Sequence, residues 1–338
     1  MIKILAWLNK SGSRIYRAEQ IFKYLNRTGE FECVISPTEV TDEQIMWADI
    51  VFIQGVVDPM MIATLWAYHQ ERGKIIVADR DDMLAPSDDN PFAKIHKDIH
   101  AKAFTTKLIE IADQVIVTTS HIEKELKPLN KNIKKLPNYL DMEVWDTKVT
   151  PNESDTVRIG FIGSMTHRED VKMIMPAIRE VITTTNSKFV VCGDDYFGRY
   201  FSDLPQTKYQ YVQGTADFYA YPMLAHTLAC DIGVAPNLPT DFNKGRSTLK
   251  FLEYGMLKMA GVYSPTVYDG IVKDGSTGFI AHTIEDWKTN LTLLVESKGI
   301  RNMISSSAYS YVRNNYDIKK HVNKWGDLFK RLVSRNNA

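Results

Sequence analysis

Three charged residues in the second half of the chain have a spacing that would suit a diphosphate ligand. Arg246 and Lys250 are four residues apart and Lys250 and Glu253 are three apart, which predicts one shared face near the start of a helix. Two cations there would neutralise a diphosphate, and a carboxylate one turn further on would accept hydrogen bonds from two ribose hydroxyls. The same spacing also fits a row of solvent-exposed ion pairs, and the sequence leaves both interpretations open.

A glycine and a serine, Gly163 and Ser164, follow the apolar run of residues 157–162, and a helical pattern begins shortly after them. Backbone amides at such a turn can approach an anion closely, because glycine has no side chain in the way. Arg168 can hold two phosphate oxygens at once, and His167 supplies a smaller donor. These residues predict a second phosphate-binding element, with surface-exposed helix caps as the alternative.

The turn after the first apolar run contains Ser11, Gly12, Arg14 and Arg17. It lies at the carboxyl end of a predicted strand, where open α/β sheets bind their ligands. Its spacing is not the GxGxxG pattern of a dinucleotide site. We expect this basic turn to contact a ligand, although ordinary surface charges in a solvated turn would give the same pattern.

Carboxylates and histidines of the first half are further candidates. Asp79 and Asp81 end a predicted strand, so we expect them near a ligand site. Clustered carboxylates also bind metals, and more often form caps and ion pairs. His96 and His100 are four apart but lack the glutamate of a zinc-protease helix. His121 also follows the end of a predicted strand, so it either reaches a ligand there or only begins a helix.

The composition excludes several classes of protein. Hydrophobic residues make up 44% of the 338 residues and charged residues 24%, as in folded globular proteins. The 41 basic and 41 acidic residues cancel, so any site for a polyanion must be a local patch. Cys33, Cys192 and Cys230 have no CxxC spacing, which predicts buried free thiols and a reducing, cytoplasmic location. The sequence predicts neither a signal peptide nor a membrane-spanning helix.

Short apolar runs alternate with longer amphipathic stretches, which is typical of α/β proteins with parallel sheets. The polar stretch of residues 148–156 indicates a linker between two such series. We therefore predict an N-terminal domain over residues 1–150, a second domain over 151–320, and a final helix over 321–338 that packs back on the first domain. The predicted strands are residues 2–8, 32–36, 50–54, 74–78, 114–118, 157–162, 189–192, 208–213 and 232–235.

The region of residues 231–281 resembles the donor site of retaining GT-B glycosyltransferases of the large family 4 group. Glu253 matches the glutamate that binds nucleotide ribose in that family, whereas Gly245 stands where the family's first, sugar-contacting glutamate would fall. A subset of the family instead has a loop rich in Asn, Lys or Ser before the helix, and residues 242–254 resemble that subset. Four further segments match in order: residues 77–82, 112–120, 136–141 and 159–170. The resemblance covers roughly residues 1–330.

The resemblance implies the GT-B fold, in which two Rossmann-like doubly wound domains face a central cleft. It implies transfer of a hexose with retention from a nucleoside diphosphate sugar, with UDP-glucose as the expected donor and no metal or other cofactor. The implied catalytic residues are Arg168, Lys250 and His121. The implied donor-binding residues are Gly163, Ser164, His167, Asn243, Lys244, Arg246, Ser247, Leu249 and Glu253. The residues expected to bind the acceptor are Ser11, Gly12, Arg14, Arg17, Asp79 and Asp81.

The sequence does not identify the acceptor. The small size resembles phage-encoded members of the family, so a modified DNA base is one expectation, and teichoic acid, another glycan or a polyol phosphate are others. The lysine-rich stretch of residues 124–135 would guide a phosphate-bearing acceptor, or it is a solvated face. Two alternatives remain for the activity itself: a GT-B nucleotide-sugar epimerase, and a catalytically inactive nucleotide-sugar-binding protein, which Gly245 would favour.

Overall fold

The chain divides into two compact units. The computed structural model describes residues 1–8, 12–36, 40–55, 59–88, 90–147, 150–215, 217 and 219–336. Unit 1 consists of Met1–Leu140, Gly245–Ser247 and Ile318–Ala338, and unit 2 of Asp141–Lys244 and Thr248–Asp317. Ser11, predicted to contact the acceptor, lies outside the described residues.

Unit 1 is built on a six-stranded sheet whose order is β2-β1-β3-β4-β5-β6. All neighbouring strands pair in parallel. Strands β3 and β4 are buried along their whole length, as is typical of parallel strands that are covered on both faces. The strands are β1 (Ile2–Leu8), β2 (Phe31–Ser36), β3 (Ile50–Gln54), β4 (Ile75–Arg80), β5 (Gln114–Val117) and β6 (Ile133–Lys135).

Unit 2 has a second six-stranded parallel sheet, in the order β12-β11-β10-β7-β8-β9. Its core contains apolar side chains from strands β7, β8, β10 and β11 and from the helices packed on them. The strands are β7 (Val157–Gly163), β8 (Ser187–Gly193), β9 (Tyr209–Gln213), β10 (Ile232–Ala235), β11 (Ala260–Tyr263) and β12 (Phe279–Ile280).

Helices follow most of these strands. Several begin at residues that cap their first amides: the Thr283 hydroxyl accepts from the backbone N of Asp286 at 3.1 Å, and the Asp286 carboxylate accepts from the backbone N of Thr283 at 2.9 Å. In unit 1 a π-helical turn, Ile15–Glu19, precedes the first α-helix. The α-helices are α1 (Gln20–Asn26), α2 (Asp42–Trp47), α3 (Pro59–Arg72), α4 (Ala93–Asp98), α5 (Ala101–Ile111), α6 (Ser120–Leu126), α7 (Met142–Trp145), α8 (Arg168–Thr184), α9 (Asp195–Tyr200), α10 (Ala220–Thr227), α11 (Asp241–Lys244), α12 (Leu249–Met256), α13 (Pro265–Tyr268), α14 (Ile284–Glu296), α15 (Lys298–Asn315) and α16 (Asn323–Asn336).

Helix α16 belongs to unit 1 although it is the last helix in the chain. Its Phe329 ring packs edge-on against Phe52 of β3, with 6.4 Å between the centroids. Trp325 is buried beside the Arg17 guanidinium, 6.0 Å from its ring centroid. The buried face of α16 therefore completes the core on one side of the unit 1 sheet.

The predicted α/β class with two Rossmann-like doubly wound domains is confirmed. Every predicted strand is present, and those at residues 2–8, 50–54 and 232–235 have the predicted bounds. The three cysteines are free, and burial raises the pKa of Cys33 and Cys230 to about 12 and that of Cys192 to about 11. In the described part of the chain, no helix combines the length and apolar character needed to cross a membrane.

Candidate functional site

The strand order of unit 2 reverses between β7 and β10. The chain runs outward from β7 through β8 to β9, and then from β10 through β11 to β12 on the opposite side of β7. Ligands of open α/β sheets bind outside the carboxyl ends of the strands at such a reversal. The turn after β7 and the loop of residues 236–240 after β10 are therefore the expected ligand-binding segments of this unit.

Asp170 joins these two segments. Its Oδ2 is 2.9 Å from His167 Nδ1, while its Oδ1 accepts from the backbone N of Leu238 and from Asn243 Nδ2, each at 2.8 Å. Asn243 Nδ2 also donates to the carbonyl of Leu238 at 3.1 Å. Asp170 and Asn243 are both buried, so these contacts are shielded from water. The network holds the loop after β10 against the first turn of α8.

The same network sets the orientation of the His167 ring. A carboxylate can only accept, so the proton of a neutral His167 is on Nδ1, and Nε2 is then an acceptor. The ring also packs edge-on against Phe161 of β7, with the centroids 6.0 Å apart. His167 is thus held at the strand reversal, and its donor-binding role stays a prediction.

The turn after β7 holds a carboxylate of the protein at one of its amides. The backbone N of Met165 donates to the side chain of Asp194, which follows β8. The Ser164 hydroxyl lies 2.7 Å from that of Thr166. Gly163 pairs with Gly193 in register, and a Cβ on Gly193 would lie 2.1 Å from the Gly163 carbonyl oxygen. Glycine is required at Gly193 by the neighbouring backbone itself, and a ligand is not needed to explain it.

Arg168, the predicted phosphate-binding arginine, is the first residue of α8. Its Nε is 3.2 Å from the Glu169 carboxylate, and the Lys172 ammonium is 2.9 Å from the same carboxylate oxygen. About a third of each of these three side chains is exposed. The arginine is therefore at the surface of the strand reversal, in a small charge cluster with net charge +1.

Lys250 and Glu253 form the predicted pair on α12, and a tyrosine joins them. The Lys250 ammonium donates to Glu253 Oε2 at 2.9 Å, and the Tyr221 hydroxyl of α10 donates to the same oxygen at 2.9 Å. The Lys250 ammonium also lies 3.4 Å from the Tyr221 hydroxyl and 5.9 Å from its ring centroid. The Glu253 side chain is only 2% exposed, against 18% for Lys250. The solvated-ladder alternative is therefore wrong for this pair.

Arg246 is not on the helical face with Lys250 and Glu253, so that expectation is corrected. Helix α12 begins at Leu249, with Thr248 as its N-terminal flanking residue, and the helical spacing rule does not extend back to Arg246. Residues 245–247 instead group with unit 1: the Thr119 hydroxyl donates to the Gly245 carbonyl at 3.1 Å, and Asn138 Nδ2 donates to Ser247 Oγ at 3.0 Å. Gly245, Ser247 and Thr248 are residue types that favour a break or a helix start over a continuous helix.

Two further predicted donor-binding residues flank this segment. Lys244 ends α11 with its ammonium exposed and 3.9 Å from Asp241 of the same helix. Leu249 is the first residue of α12 and is half-buried.

In unit 1, Arg17 and Asp79 form a buried, two-pronged ion pair. Arg17 Nε and Nη2 donate to the two carboxylate oxygens of Asp79 at 2.9 and 2.7 Å, and Nη1 donates to the Leu136 carbonyl and to Asn138 Oδ1 at 2.9 and 3.1 Å. Both side chains are completely shielded from solvent. They have no exposed atom for an acceptor, so the expected acceptor contact is replaced by an internal connection between the π-helical turn, β4 and the segment after β6.

The other predicted acceptor residues are nearer the surface. Arg14 Nε is 2.7 Å from Glu19, and Gly12 precedes Ser13, whose hydroxyl accepts from Gln54 Nε2 at 2.7 Å. The same Gln54 nitrogen is 3.4 Å from Asp81. Gln54 ends β3, so the turn after β1 and the segment after β4 meet at the strand reversal of this sheet.

His121 lies in the first turn of α6, next to the capping residue Thr119. The other two histidines that were considered, His96 and His100, line a cavity of about 740 Å³ together with residues of α4, α5 and the segment after β4. Burial, with the charge of Arg80 acting in the same direction, lowers the pKa of His96. Among the described residues, no three His, Cys, Asp or Glu side chains are grouped closely enough to hold a metal ion.

The sequence analysis did not identify Asp170, Tyr221 or Asp194 as site residues. Asp170 was part of a matched segment, but the sequence does not distinguish a buried carboxylate with three hydrogen-bond partners from an ordinary acidic residue in the first turn of a helix. Tyr221 comes from a different helix, and its contact with Glu253 depends on the packing of α10 against α12.

Several solved structures have a fold similar to that of this chain. Sucrose-phosphate synthase from Thermosynechococcus elongatus superimposes with a TM-score of 0.74 at 10% identity, over 99% of this chain and 100% of that one. HepE from Anabaena, solved with UDP and glucose, gives 0.61 at 12% identity, over 98% and 100%. TarM from S. aureus gives 0.63 at 14% identity over 83% of this chain, which spans only 54% of TarM.

No protein-family model matches the chain, and neither does any curated protein sequence. The similarity to solved structures therefore rests on three-dimensional arrangement, and it shows that the chain has the GT-B fold.

Proposed function

We propose that the protein is a glycosyltransferase that moves a hexose from a nucleoside diphosphate sugar, with UDP-glucose as the expected donor, to an acceptor hydroxyl. The cluster of Lys250, Glu253 and Tyr221 carries this proposal. Its buried carboxylate, held by an ammonium and a hydroxyl, is preorganised to accept hydrogen bonds from ribose hydroxyls. HepE, which shares the fold, was solved with UDP and glucose.

The diphosphate of the donor would lie beside this carboxylate, at the strand reversal of unit 2. Lys250 and Arg168 supply positive charge, and His167, fixed by Asp170 through Nδ1, would donate to a phosphate oxygen from Nε2 in its protonated form. Backbone groups at Gly163 and Ser164 and the side chains of Asn243 and Lys244 complete the set of donor contacts. Arg246, Ser247 and Leu249 keep their predicted donor-binding role as part of the proposal, with Arg246 placed before α12 and not on its helical face.

The difficult step is departure of the diphosphate from the anomeric carbon. The bond between that carbon and the leaving phosphate oxygen breaks, the acceptor oxygen forms a bond to the same face, and the acceptor proton passes to the leaving phosphate. Negative charge grows on the phosphate, and fixed cations stabilise that charge more than they stabilise the bound donor. Retention follows from same-face attack, and the proposal needs no metal ion.

Unit 1 would supply the acceptor site. Gly12 and Arg14 belong to the turn after β1 and Asp81 to the segment after β4, and His121 is the histidine that we assign to the reacting sugar. Ser11, which is not among the described residues, keeps its predicted acceptor role as part of the proposal. The reaction would take place in the cytoplasm, where nucleotide sugars are made.

Consumption of donor tests the activity. The protein is incubated with UDP-glucose, UDP-GlcNAc and GDP-mannose, and free nucleotide and sugar isomers are measured. Release of nucleotide supports transfer or hydrolysis of the donor. Interconversion of the sugar without release would identify an epimerase, and binding with no conversion would identify an inactive binding protein.

Replacement of the carboxylate tests the site. Glu253→Ala removes a charged acceptor, whose hydrogen bonds are typically worth about 1.5–3 kcal/mol, so donor affinity should fall by roughly 10-fold to 100-fold in calorimetric titration. Glu285→Ala, at a side chain that is 74% exposed in the same unit, is the matched control and should bind the donor normally. Unchanged donor affinity in Glu253→Ala would remove α12 from the site.

A further inference from the structure

A second pocket, of about 370 Å³, lies on unit 1 and is lined mainly by positive charge. We define it as the basic pocket: Lys134, Lys135, Leu136, Pro137, Lys324, Asp327 and Arg331. Four cations surround it against one carboxylate, a local excess of +3 in a chain whose formal net charge is zero. The basic pocket is therefore strongly positive, although the chain as a whole has no net charge.

Two separate elements bring these cations together. Lys134 and Lys135 end β6, which is the outermost strand of the sheet, and the others lie on α16. Lys324, Asp327 and Arg331 follow one another at intervals of three and four residues, so they share one face of that helix. The pocket thus depends on the packing of the last helix against the sheet of unit 1.

The positive charge in the basic pocket is not neutralised by acidic neighbours. Lys324 donates to the Tyr139 hydroxyl at 2.8 Å, and Lys135 donates to the Ser120 hydroxyl at 2.7 Å, so uncharged groups position both ammonium groups. Across the ranges that the structure describes, none of the four cations has a carboxylate oxygen within 4.0 Å. Like charges gathered without counter-charges repel one another, and a bound anion would offset that repulsion.

We propose that the basic pocket binds the phosphate groups of a phosphodiester chain. Lys324 and Arg331 are seven residues apart, or about 10 Å along the helix axis at 1.5 Å per residue. Four cations on two elements carry more positive charge than one phosphodiester group neutralises, and successive phosphates of a chain supply the further negative charge. Nucleic acids and polyol phosphate polymers share this chemistry. That the bound chain is the acceptor of the transferase rests on the proposed function; the binding site itself does not.

Binding is measured by fluorescence anisotropy with a labelled single-stranded DNA oligonucleotide and with a labelled glycerol phosphate polymer, over a series of salt concentrations. The test variant is Lys134→Gln/Arg331→Gln, which removes one cation from each element. The matched control is Lys94→Gln/Lys298→Gln, which removes the same charge at two exposed positions away from the pocket. Thermal melting of each variant shows that it is folded.

We expect at least one of the two chains to bind, with an affinity that falls as salt rises. Each phosphate contact to a single strand contributes about 0.7 to the slope of log affinity against log salt, so the test variant should bind at least tenfold more weakly, with a slope smaller by about 1 to 2. The control should match the parent protein. The chain that binds more tightly identifies the source of the phosphates.

Three results would overturn the proposal: equal loss of binding in test and control variants, no binding of either chain at about 50 mM salt, or binding only to anionic lipid vesicles, which would make the patch a membrane-contact surface. Nucleotide release from UDP-glucose without acceptor is measured in parallel. It should be the same in the test variant and the parent, so failure of the transferase proposal and failure of the pocket are seen separately.

Discussion

Asp170 is the residue on which the loop after β10 depends. Its carboxylate accepts from His167, Leu238 and Asn243 in a buried setting. Asp170→Asn keeps the shape but places an amide donor against groups that are themselves donors, so at least one hydrogen bond is lost. We expect the free energy of unfolding to fall by about 2 kcal/mol, measured by urea denaturation, and the nitrogen chemical shifts of the His167 ring to change because its tautomer is no longer fixed.

Asp195→Asn is the control for this change, because Asp195 is an exposed partner of Arg199, with 3.1 Å between the charged atoms. Exposed ion pairs of this kind contribute about 0–1 kcal/mol. If Asp170→Asn and Asp195→Asn had the same stability, the three hydrogen bonds to Asp170 would not be holding the loop.

His226 gives the protein a defined sensitivity to acid. Burial lowers the pKa of this histidine below its ordinary value of 6.5. The unfolded chain therefore takes up the proton at a higher pH than the folded chain does, and folding stability falls as the pH drops below about 6.5. His226→Gln should lose less stability than the parent between pH 7.5 and 5 in urea denaturation.

The exposed His282 provides the comparison, since His282→Gln should leave the pH dependence of the parent unchanged. Parallel stability curves for His226→Gln and the parent would show that another group causes the loss in acid.

At the scale of residues, the sequence predicts contacts within one element better than contacts between elements. Lys250 and Glu253 were found because three-residue spacing on a helix fixes their relation in advance. Tyr221 completes that cluster from another helix, and no local pattern encodes the meeting. The pairing of Arg17 with Asp79 is of the same kind: each was visible as a charged residue near a strand end, but only the packed sheet shows that they neutralise one another.

Among the elements of unit 2, the carboxyl ends of β7 and β8 approach each other unusually closely. A Cβ on Gly193 would lie 2.1 Å from the carbonyl oxygen of Gly163, its partner across the strands. Gly193→Ala must therefore separate the strands or shift the backbone, and we expect a loss of about 1–3 kcal/mol in the free energy of unfolding. Because Gly163 is a proposed donor contact, donor affinity measured by calorimetry should fall as well.

Gly299→Ala is the matched substitution, since a Cβ there would have no atom within 4 Å. Gly299 lies in α15, and replacing a helical glycine with alanine should stabilise the protein by roughly 0.5–1 kcal/mol. Equal effects of the two substitutions would mean that the strand ends can accommodate a side chain.

The sequence was most informative about elements where burial makes a pattern. Strands β1, β3 and β10 are mostly apolar because both faces of a parallel sheet are covered, and their bounds were predicted correctly. Strand β6 was missed: two of its three residues are exposed lysines, so it lacks an apolar run, and it exists because β5 offers it a hydrogen-bonding edge. Strands β11 and β12 were missed as well, although β11 is buried along its whole length. The lysine-rich stretch of residues 124–135 was a candidate contact for a phosphate-bearing acceptor, but the sequence did not predict that Lys134 and Lys135 meet Lys324 and Arg331 of α16.

For the whole molecule, chain order and packing order differ. Residues 318–338 come last in the sequence but belong to the unit formed by the first 140 residues. An amphipathic pattern predicts that α16 is a helix with one buried face, but the pattern does not specify the surface against which that face packs. The structure identifies that surface: Phe329 contacts Phe52 of β3, and Trp325 lies against Arg17 and Tyr139.

Removal of one aromatic ring from α16 should therefore weaken the first unit of the chain. Phe329 is fully buried, and Phe329→Ala should cost about 3–5 kcal/mol through lost contacts and the cavity left behind. Hydrogen exchange followed by mass spectrometry should show reduced protection in β1, β3 and α1, while β7 and β8 keep theirs, and Leu293→Ala at a partly exposed position on α14 should change neither region. Equal loss of protection in both units after Phe329→Ala would mean that they unfold as one cooperative body, and that the last helix stabilises more than the sheet on which it packs.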